Sequence, residues 1–286
     1  MNIFDIEYFT DFDVGSLTTM KIPALSRAVF FPINQNELIF LYDYFSSKKY
    51  PFIILGNGSN VIFTQKAENF IVISTKKVKN YIKNTKNIIS LSSSTMLPKL
   101  YRYCQERCLS GFEKFGTIPA TIGGAIYMNA GCFGENISDR LLSIKVRHNG
   151  KTLYLKKENI DFDYRKSGLH DCLILSAKFL CEIKDKCQIE QDYKKYLSLR
   201  IEKQPRGFSS GSFFKNTPNF FAGKIIDECG LKGFQYGGAK ISEKHGNFIL
   251  NYSNATSKDI LELIKIIKNK VYQKFSVNLE EEVQIF

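Results

Sequence analysis

From Gly116 to Gly134 the sequence reads GTIPATIGGAIYMNAGCFG, a stretch with little in it that could fill a core. Pro119 fixes one backbone dihedral, while Gly123, Gly124 and Gly131 permit close backbone approach or positive φ. Asn129 can donate and accept hydrogen bonds at once. A surface of this kind, with bare amides and withdrawn side chains, suits a large, flat, polyphosphorylated ligand; a tightly packed helix–strand crossing is the alternative. The second stretch is LGNGSN, Leu55–Asn60, directly after an apolar run. Its Gly56-x-Gly58 is followed by Val61 where a dinucleotide fingerprint needs a third glycine, and no Gly-Lys-Ser/Thr follows to make a Walker loop. Gly56, Asn57, Gly58, Ser59 and Asn60 are left as either an anion-holding turn with free amides or an ordinary turn.

The remaining reactive side chains point to no second chemistry. Seven cysteines (Cys104, Cys108, Cys132, Cys172, Cys181, Cys187, Cys229) include no CxxC pair, and their odd count and irregular spacing argue against a disulfide framework or a zinc ribbon. Three histidines, His148, His170 and His245, belong to no HExxH motif and to no His/Cys/carboxylate cluster, so no metal site is expected. His148 and His170 fall in expected loops, and His245 reads as structural.

These stretches must be positioned by regular elements. Leu38, Leu41, Tyr42 and Phe45 recur at helical spacing over Asn36–Phe45. Phe52–Leu55, Val61–Phe63 and Phe70–Ile73 read as strands of a small α/β unit. Ile88–Leu91 predicts another strand, and Leu97–Cys108 a helix with Pro98 at its start and Cys104 and Cys108 buried one turn apart. Alternating polarity over Leu142–Val146, Thr152–Leu155 and Leu173–Phe179 predicts a half-solvated mixed sheet. The charge-dense segment Glu182–Arg206 reads as a linker. Beyond it, Phe221–Cys229 predicts a helix ended by Gly230, and Thr256–Phe275 a second with a Thr256/Asp259 capping box and an apolar face of Ile260, Leu263, Ile264, Ile267 and Val271.

Composition bounds the partners. The 286 residues suggest about two domains, and 44% hydrophobic content with 15 Tyr and 24 Phe is ample for a core. A net charge of +12 favours anionic partners, although lysines such as Lys76, Lys77, Lys79 and Lys83 read as solvated surface. Asp5, Glu7, Asp11 and Asp13 stand where a secretory leader needs a basic start and an apolar run. No stretch approaches the ~20 apolar residues that span a bilayer. A cytoplasmic, reduced protein is expected, with no membrane partner. A basic nucleic-acid-binding module is a competing reading, but no aromatic-basic RNA motif or recognition helix occurs, so no nucleic-acid partner is expected.

GNGSNVIF, GTIPATIGGAIYMNAGCFG, YRKS, SSGSFFKN, KHGNFILN and LEEEV then appear in order. Together, from about Thr18 to Val283, they resemble the UDP-N-acetylenolpyruvoylglucosamine reductase (MurB) family, in its shorter second type without a tyrosine lid loop. The resemblance implies an α+β protein: a vanillyl-alcohol-oxidase/PCMH-type FAD-binding fold in two subdomains, 1–68 and 69–190, plus a C-terminal α+β substrate domain, 191–286. It implies bound FAD, held by Gly56, Asn57, Gly58, Ser59, Asn60, Ile118, Pro119, Ala120, Thr121, Gly123, Gly124, Asn129, Ala130 and Gly131, with NADPH as co-substrate. The reaction implied is reduction of UDP-N-acetylglucosamine enolpyruvate to UDP-N-acetylmuramate by a monomer acting on an anionic UDP-sugar.

Arg165 in YRKS, Ser212 in GSFFKN and Glu282 in LEEEV match the family's catalytic positions, and Tyr164, Lys215 and Asn216 its substrate contacts. The chemistry needs such groups. Hydride addition to an enol ether conjugated to a carboxylate leaves enolate-like charge, which a fixed guanidinium stabilises bidentately. Protonation of the neighbouring carbon is then within reach of a weak acid such as Ser212, with Lys215 nearby. Glu282 would orient or protonate the carboxylate end. Two departures stand out: Asn216-Thr217-Pro218 is one residue longer before its proline than the family pattern, and Ala120 replaces a glycine. Lys203 and Arg206 are candidate diphosphate contacts. A flavin oxidase or dehydrogenase of the same fold, acting on a hydroxy acid or sugar, is the alternative within enzymes.

Overall fold

The computed structural model describes residues 2–217 and 219–286, so Pro218, the end of the Asn216-Thr217-Pro218 departure, lies outside the described residues. The chain forms two compact units. The first takes the residues up to Tyr8, Phe30–Asn57 and Val72–Arg200; the second takes Phe9–Val29, Gly58–Ile71 and Ile201–Phe286.

In the first unit, α1 (Gln35–Ser47) starts at Asn34, whose side chain accepts from Glu37 N at 3.0 Å, and it buries Leu38, Leu41, Tyr42 and Phe45 as their spacing predicts. A five-stranded sheet follows in the order 151–156, 141–148, 173–180, 88–92, 82–85. It is antiparallel throughout, not mixed: each neighbouring pair runs in opposite directions. Alternating polarity marks a one-sided sheet but carries no strand direction. Ile89, Leu91, Ile144, Val146, Ala177 and Phe179 form one core with residues of α2 (Leu97–Gln105) and α3 (Ile122–Tyr127).

Three expectations are corrected here. Helix α2 ends at Gln105, and Cys108 is exposed with φ 56°. The reversal there delivers Leu109–Ser110 to a pairing with Glu182–Ile183, so only Cys104 of the two is a packing group. The charged segment read as a linker is mainly a helix, α4 (Lys186–Lys203). Asp185 Oδ1 caps it, accepting from Cys187 N at 2.8 Å, and the Tyr193 ring stacks on Tyr101 at 4.0 Å. His148 is the last residue of the 141–148 strand, with Nδ1 2.8 Å from Asp171 O.

The second unit is built on α5 (Ala222–Glu228) and α6 (Ser257–Phe275). Phe221 occupies the N-cap of α5, and Gly230 follows the C-cap Cys229 at φ 71°, a left-handed position that glycine takes without steric cost. Both bonds of the Thr256/Asp259 capping box form, at 2.9 and 3.2 Å. The five apolar residues expected on one face of α6 are all buried, each stabilising the unit by about 1.5–3 kcal/mol relative to exposure. They pack with Phe213, Phe214, Ala239, Ile241 and Ile249. Residues 235–236, 239–241 and 249–251 form a small antiparallel sheet, and Val61–Ile62 pairs in parallel with Gln284–Ile285.

Candidate active site

In the first unit the strand Phe52–Leu55 delivers Gly56 and Asn57 to the glycine-rich stretch. Asn57 Nδ2 donates to Pro119 O at 2.7 Å. A Cβ on Gly56 would lie 2.4 Å from Thr121 Oγ1, so only glycine permits this contact. Thr121 caps α3, its Oγ1 accepting from Gly124 N at 3.3 Å. Ile122 N and Gly123 N donate to Thr95 O and Ser93 O, both at 2.8 Å. The donors at the start of α3 are therefore used within the protein. Gly124 is exposed, and a Cβ there would meet only Thr121 Oγ1, at 3.4 Å. Ala120 is half-buried against the core beside Ile118, and its φ is not positive, so its methyl group fits where the family pattern has glycine.

The other end of the stretch holds the Tyr164-Arg165 turn. Asp163 and Lys166 exchange backbone hydrogen bonds of 2.9 and 3.2 Å, which leaves Tyr164 and Arg165 at the tip. Arg165 has φ 56°, and its guanidinium lies 4.8 Å from the Tyr164 ring centre. Arg165 Nη2 donates to Gly131 O at 3.2 Å. Asn129, itself at φ 41°, donates through Nδ2 to Asp163 O at 2.9 Å. Its Oδ1 is buried and has no hydrogen-bond partner among the described residues. Ser167 is buried, and its Oγ donates to Tyr127 O at 2.7 Å. Asp163, which positions this turn, carries no sequence signal of its own, and Ser167 stands in YRKS with no role legible from the sequence.

Arg200 on α4 also reaches this stretch, a contact hidden by the linker reading. Its Nε donates to Thr117 Oγ1 at 2.9 Å, and its guanidinium lies 5.7 Å from the Phe133 ring centre. Burial pulls the Arg200 pKa below the ordinary guanidinium range. Burial also pushes the Cys132 thiol up to about 11 despite the nearby Arg200 and Lys114, so this cysteine is protonated at neutral pH.

In the second unit, Gly58 adopts φ 66°, and a Cβ on it would lie 2.7 Å from Thr18 Cα. Its carbonyl accepts from Thr19 N at 3.2 Å. Ser59 is half-buried and forms no hydrogen bond to another described residue. Asn60 Nδ2 donates to Glu282 O at 3.0 Å, and Gln284 N donates to Asn60 O at 2.9 Å. The loop after the Phe52–Leu55 strand thus ends on the segment that carries Glu282.

Ser212 and Glu282 are brought together by one intervening backbone. Phe213 N donates to Asn247 O at 2.9 Å, and Glu282 N donates to Phe213 O at 2.8 Å. Lys215 N bonds Glu280 O at 2.9 Å, while Lys215 Nζ forms an ion pair with the Glu280 carboxylate. Ser212 and Glu282 are half-buried, accessible to a ligand yet fixed in register. Asn216 Oδ1 accepts from Ala222 N at 3.0 Å, so part of its amide serves the start of α5. Arg165 and Tyr164 belong to the first unit, and Ser212, Lys215, Asn216 and Glu282 to the second. Asn247 stands in KHGNFILN with no role legible from the sequence, and the structure places it beside the Ser212–Phe214 segment.

The residues present fit a flat polyphosphorylated cofactor. In the first unit the exposed Gly124 keeps its backbone bare, and the orphaned Asn129 Oδ1 is a buried acceptor awaiting a donor. Among the described residues no group of three or more His, Cys, Asp or Glu could hold a metal, and no helix is long and apolar enough to cross a membrane.

Comparison with known proteins agrees with this chemistry. Residues 26–153 match the family described as "FAD binding domain", and residues 204–286 match "UDP-N-acetylenolpyruvoylglucosamine reductase, C-terminal domain". A UDP-N-acetylenolpyruvoylglucosamine reductase of Caldicellulosiruptor bescii is 36% identical over 98% of this chain and 90% of its own. One of Aquifex aeolicus is 37% identical over 94% and 92%. The crystal structure of UDP-N-acetylenolpyruvylglucosamine reductase from Thermus caldophilus superposes with a TM-score of 0.82 at 29% identity, covering 98% of both chains. With a PCMH-type FAD-binding fold followed by this C-terminal domain, the chain is an FAD-dependent oxidoreductase and belongs to the UDP-N-acetylenolpyruvoylglucosamine reductase (MurB) family.

Proposed function

We propose that this protein reduces UDP-N-acetylglucosamine enolpyruvate to UDP-N-acetylmuramate with NADPH, a cytoplasmic step of peptidoglycan precursor synthesis. The observation that supports the reading is the register of the two segments: Glu282 N donates to the carbonyl of Phe213, the residue that directly follows Ser212. In this reading Gly56–Asn60, Ile118–Thr121, Gly123, Gly124 and Asn129–Gly131 hold FAD, which supplies the hydride drawn from NADPH. The segment 191–286 acts as the substrate domain, and 1–68 with 69–190 as the two cofactor subdomains. The enzyme works as a monomer, with the UDP-sugar and NADPH as its partners.

The side chains divide the work by chemistry. Arg165 stabilises the negative charge that develops on the carboxylate side of the enolpyruvyl group, a role served by a guanidinium fixed before reaction. Its anchor on Gly131 O and its packing on Tyr164 support that assignment. Ser212 donates its hydroxyl proton to C2 of the substrate, and its half-buried position leaves the residue open to a ligand. Glu282 orients the carboxylate end, and Tyr164, Lys215 and Asn216 contact the nucleotide sugar.

Replacing Ser212 tests the assignment. Ser212→Ala should retain FAD and be reduced by NADPH at the normal rate, while reoxidation by the enolpyruvyl nucleotide sugar slows about 10²–10⁴-fold, the range for loss of a general acid. Anaerobic stopped-flow absorbance separates the two half-reactions. Equal slowing of both would contradict the proton-donor role.

A further inference from the structure

The extended segment Ser212–Phe214, joined to its neighbours by the isolated bridges Ser212–Phe248 and Phe214–Glu281, is short of a neighbour on one edge. Phe213 N bonds Asn247 O, but the neighbouring chain turns at His245–Asn247, where Phe248 N returns to His245 O at 3.0 Å. The Asn247 side chain fills the gap. Its Oδ1 accepts from Phe214 N at 2.9 Å, and its Nδ2 donates to Phe214 O at 2.8 Å. One carboxamide thus reproduces the donor–acceptor pair of a missing strand residue.

Asn247 is held for this task. It is 4% exposed, and its own N–H donates to His245 Nδ1 at 3.1 Å. Gly223 on α5 backs the imidazole so closely that a Cβ there would lie 2.8 Å from His245 Cε1. On the opposite edge the segment is pinned by Glu282 N, which donates to Phe213 O, and by Glu280 O, which accepts from Lys215 N. Both faces are filled, since the Phe213 and Phe214 side chains are 0% and 1% exposed. Ser212 directly precedes this clamped pair.

We propose that Asn247 is a positioning residue for Ser212: its carboxamide locks the Phe213–Phe214 backbone and so fixes the hydroxyl in register with the Glu282 segment. This rests on the proton-donor reading of Ser212. No other side chain substitutes fully. Aspartate cannot donate to Phe214 O when ionised, leucine offers neither bond, and glutamine is one methylene too long.

The test uses FAD-loaded protein and measures the half-reactions separately. Asn247→Ala should keep its FAD and its rate of reduction by NADPH, while reoxidation by the enolpyruvyl nucleotide sugar falls about 10²-fold, as expected when a reacting group is displaced by about 1 Å. Amide hydrogen exchange at Phe214 should accelerate. In a Ser212→Ala background, adding Asn247→Ala should change reoxidation by less than about twofold, because the clamp acts through Ser212. A full additional loss in that background, equal slowing of both half-reactions, or normal reoxidation of the single variant would each overturn the proposal. Asn247→Ser, which keeps a hydroxyl for one of the two bonds, replaces the alanine variant if that fails to hold FAD. Loss of FAD from both variants would assign Asn247 to folding and also overturn the proposal. If wild-type reduced enzyme is not reoxidised by the nucleotide sugar, the proposed function fails instead, a separable result.

Discussion

Arg165 occupies a left-handed backbone conformation at φ 56°, which costs a non-glycine residue about 1–3 kcal/mol and persists only where its surroundings impose it. Here the surroundings are Asn129, Gly131 and the paired Asp163 and Lys166. A Cβ on Gly131 would lie 2.5 Å from Arg165 Nη1 and 2.6 Å from Asn136 Oδ1. Gly131→Ala should therefore displace the guanidinium, lowering kcat of the FAD-loaded fraction about 10²–10³-fold, as for loss of an oxyanion-stabilising donor. Steady-state kinetics on protein of confirmed FAD content would check this, and unchanged kcat would detach Gly131 from the Arg165 geometry. The residue types in this site were legible in the sequence, since six short motifs in order name them. Their partners were not. Asn129 was read as a cofactor contact, yet its Nδ2 serves Asp163, whose distance along the chain leaves no local pattern to read.

The Asn34 cap of α1 gave no separate signal; helices α1 and α6 announced themselves because their buried positions repeat at helical spacing, and α6 also because its Thr256 cap is local. Helix α4 did not, because it buries only Ile189. Side-chain pairs such as Lys194–Glu190 and the Tyr193–Tyr101 stack accompany it in place of an apolar stripe. Strand direction in the five-stranded sheet was equally hidden, since 88–92 pairs with a strand far along the chain. The loop after Phe52–Leu55 is the element most exposed to a single substitution. Gly56→Ala would drive a methyl group into Thr121, separating two segments assigned to FAD at an overpacking cost of about 1–3 kcal/mol. FAD affinity should weaken about tenfold or more, read as lower flavin absorbance in the purified protein. Full flavin content with normal affinity would remove this contact from the cofactor site.

Across the whole molecule the charge is +12, and a nucleoside diphosphate sugar should be drawn in by that field before any specific contact forms. Raising ionic strength to about 0.5 M, where screening acts within a few ångströms, should lower kcat/KM for the nucleotide sugar about tenfold while kcat holds. A parallel fall in kcat would place the salt effect on the chemical step. Each unit has a core of its own; Arg165 belongs to the first unit, and Ser212 and Glu282 belong to the second. The central claim is that both halves serve one reduction. It is tested most directly by following flavin absorbance of the wild-type protein without oxygen. The yellow protein should bleach with NADPH and regain its colour on addition of one equivalent of UDP-N-acetylglucosamine enolpyruvate, with UDP-N-acetylmuramate formed in equal amount. Protein that bleaches with NADPH but recovers colour only when oxygen is admitted would contradict the account.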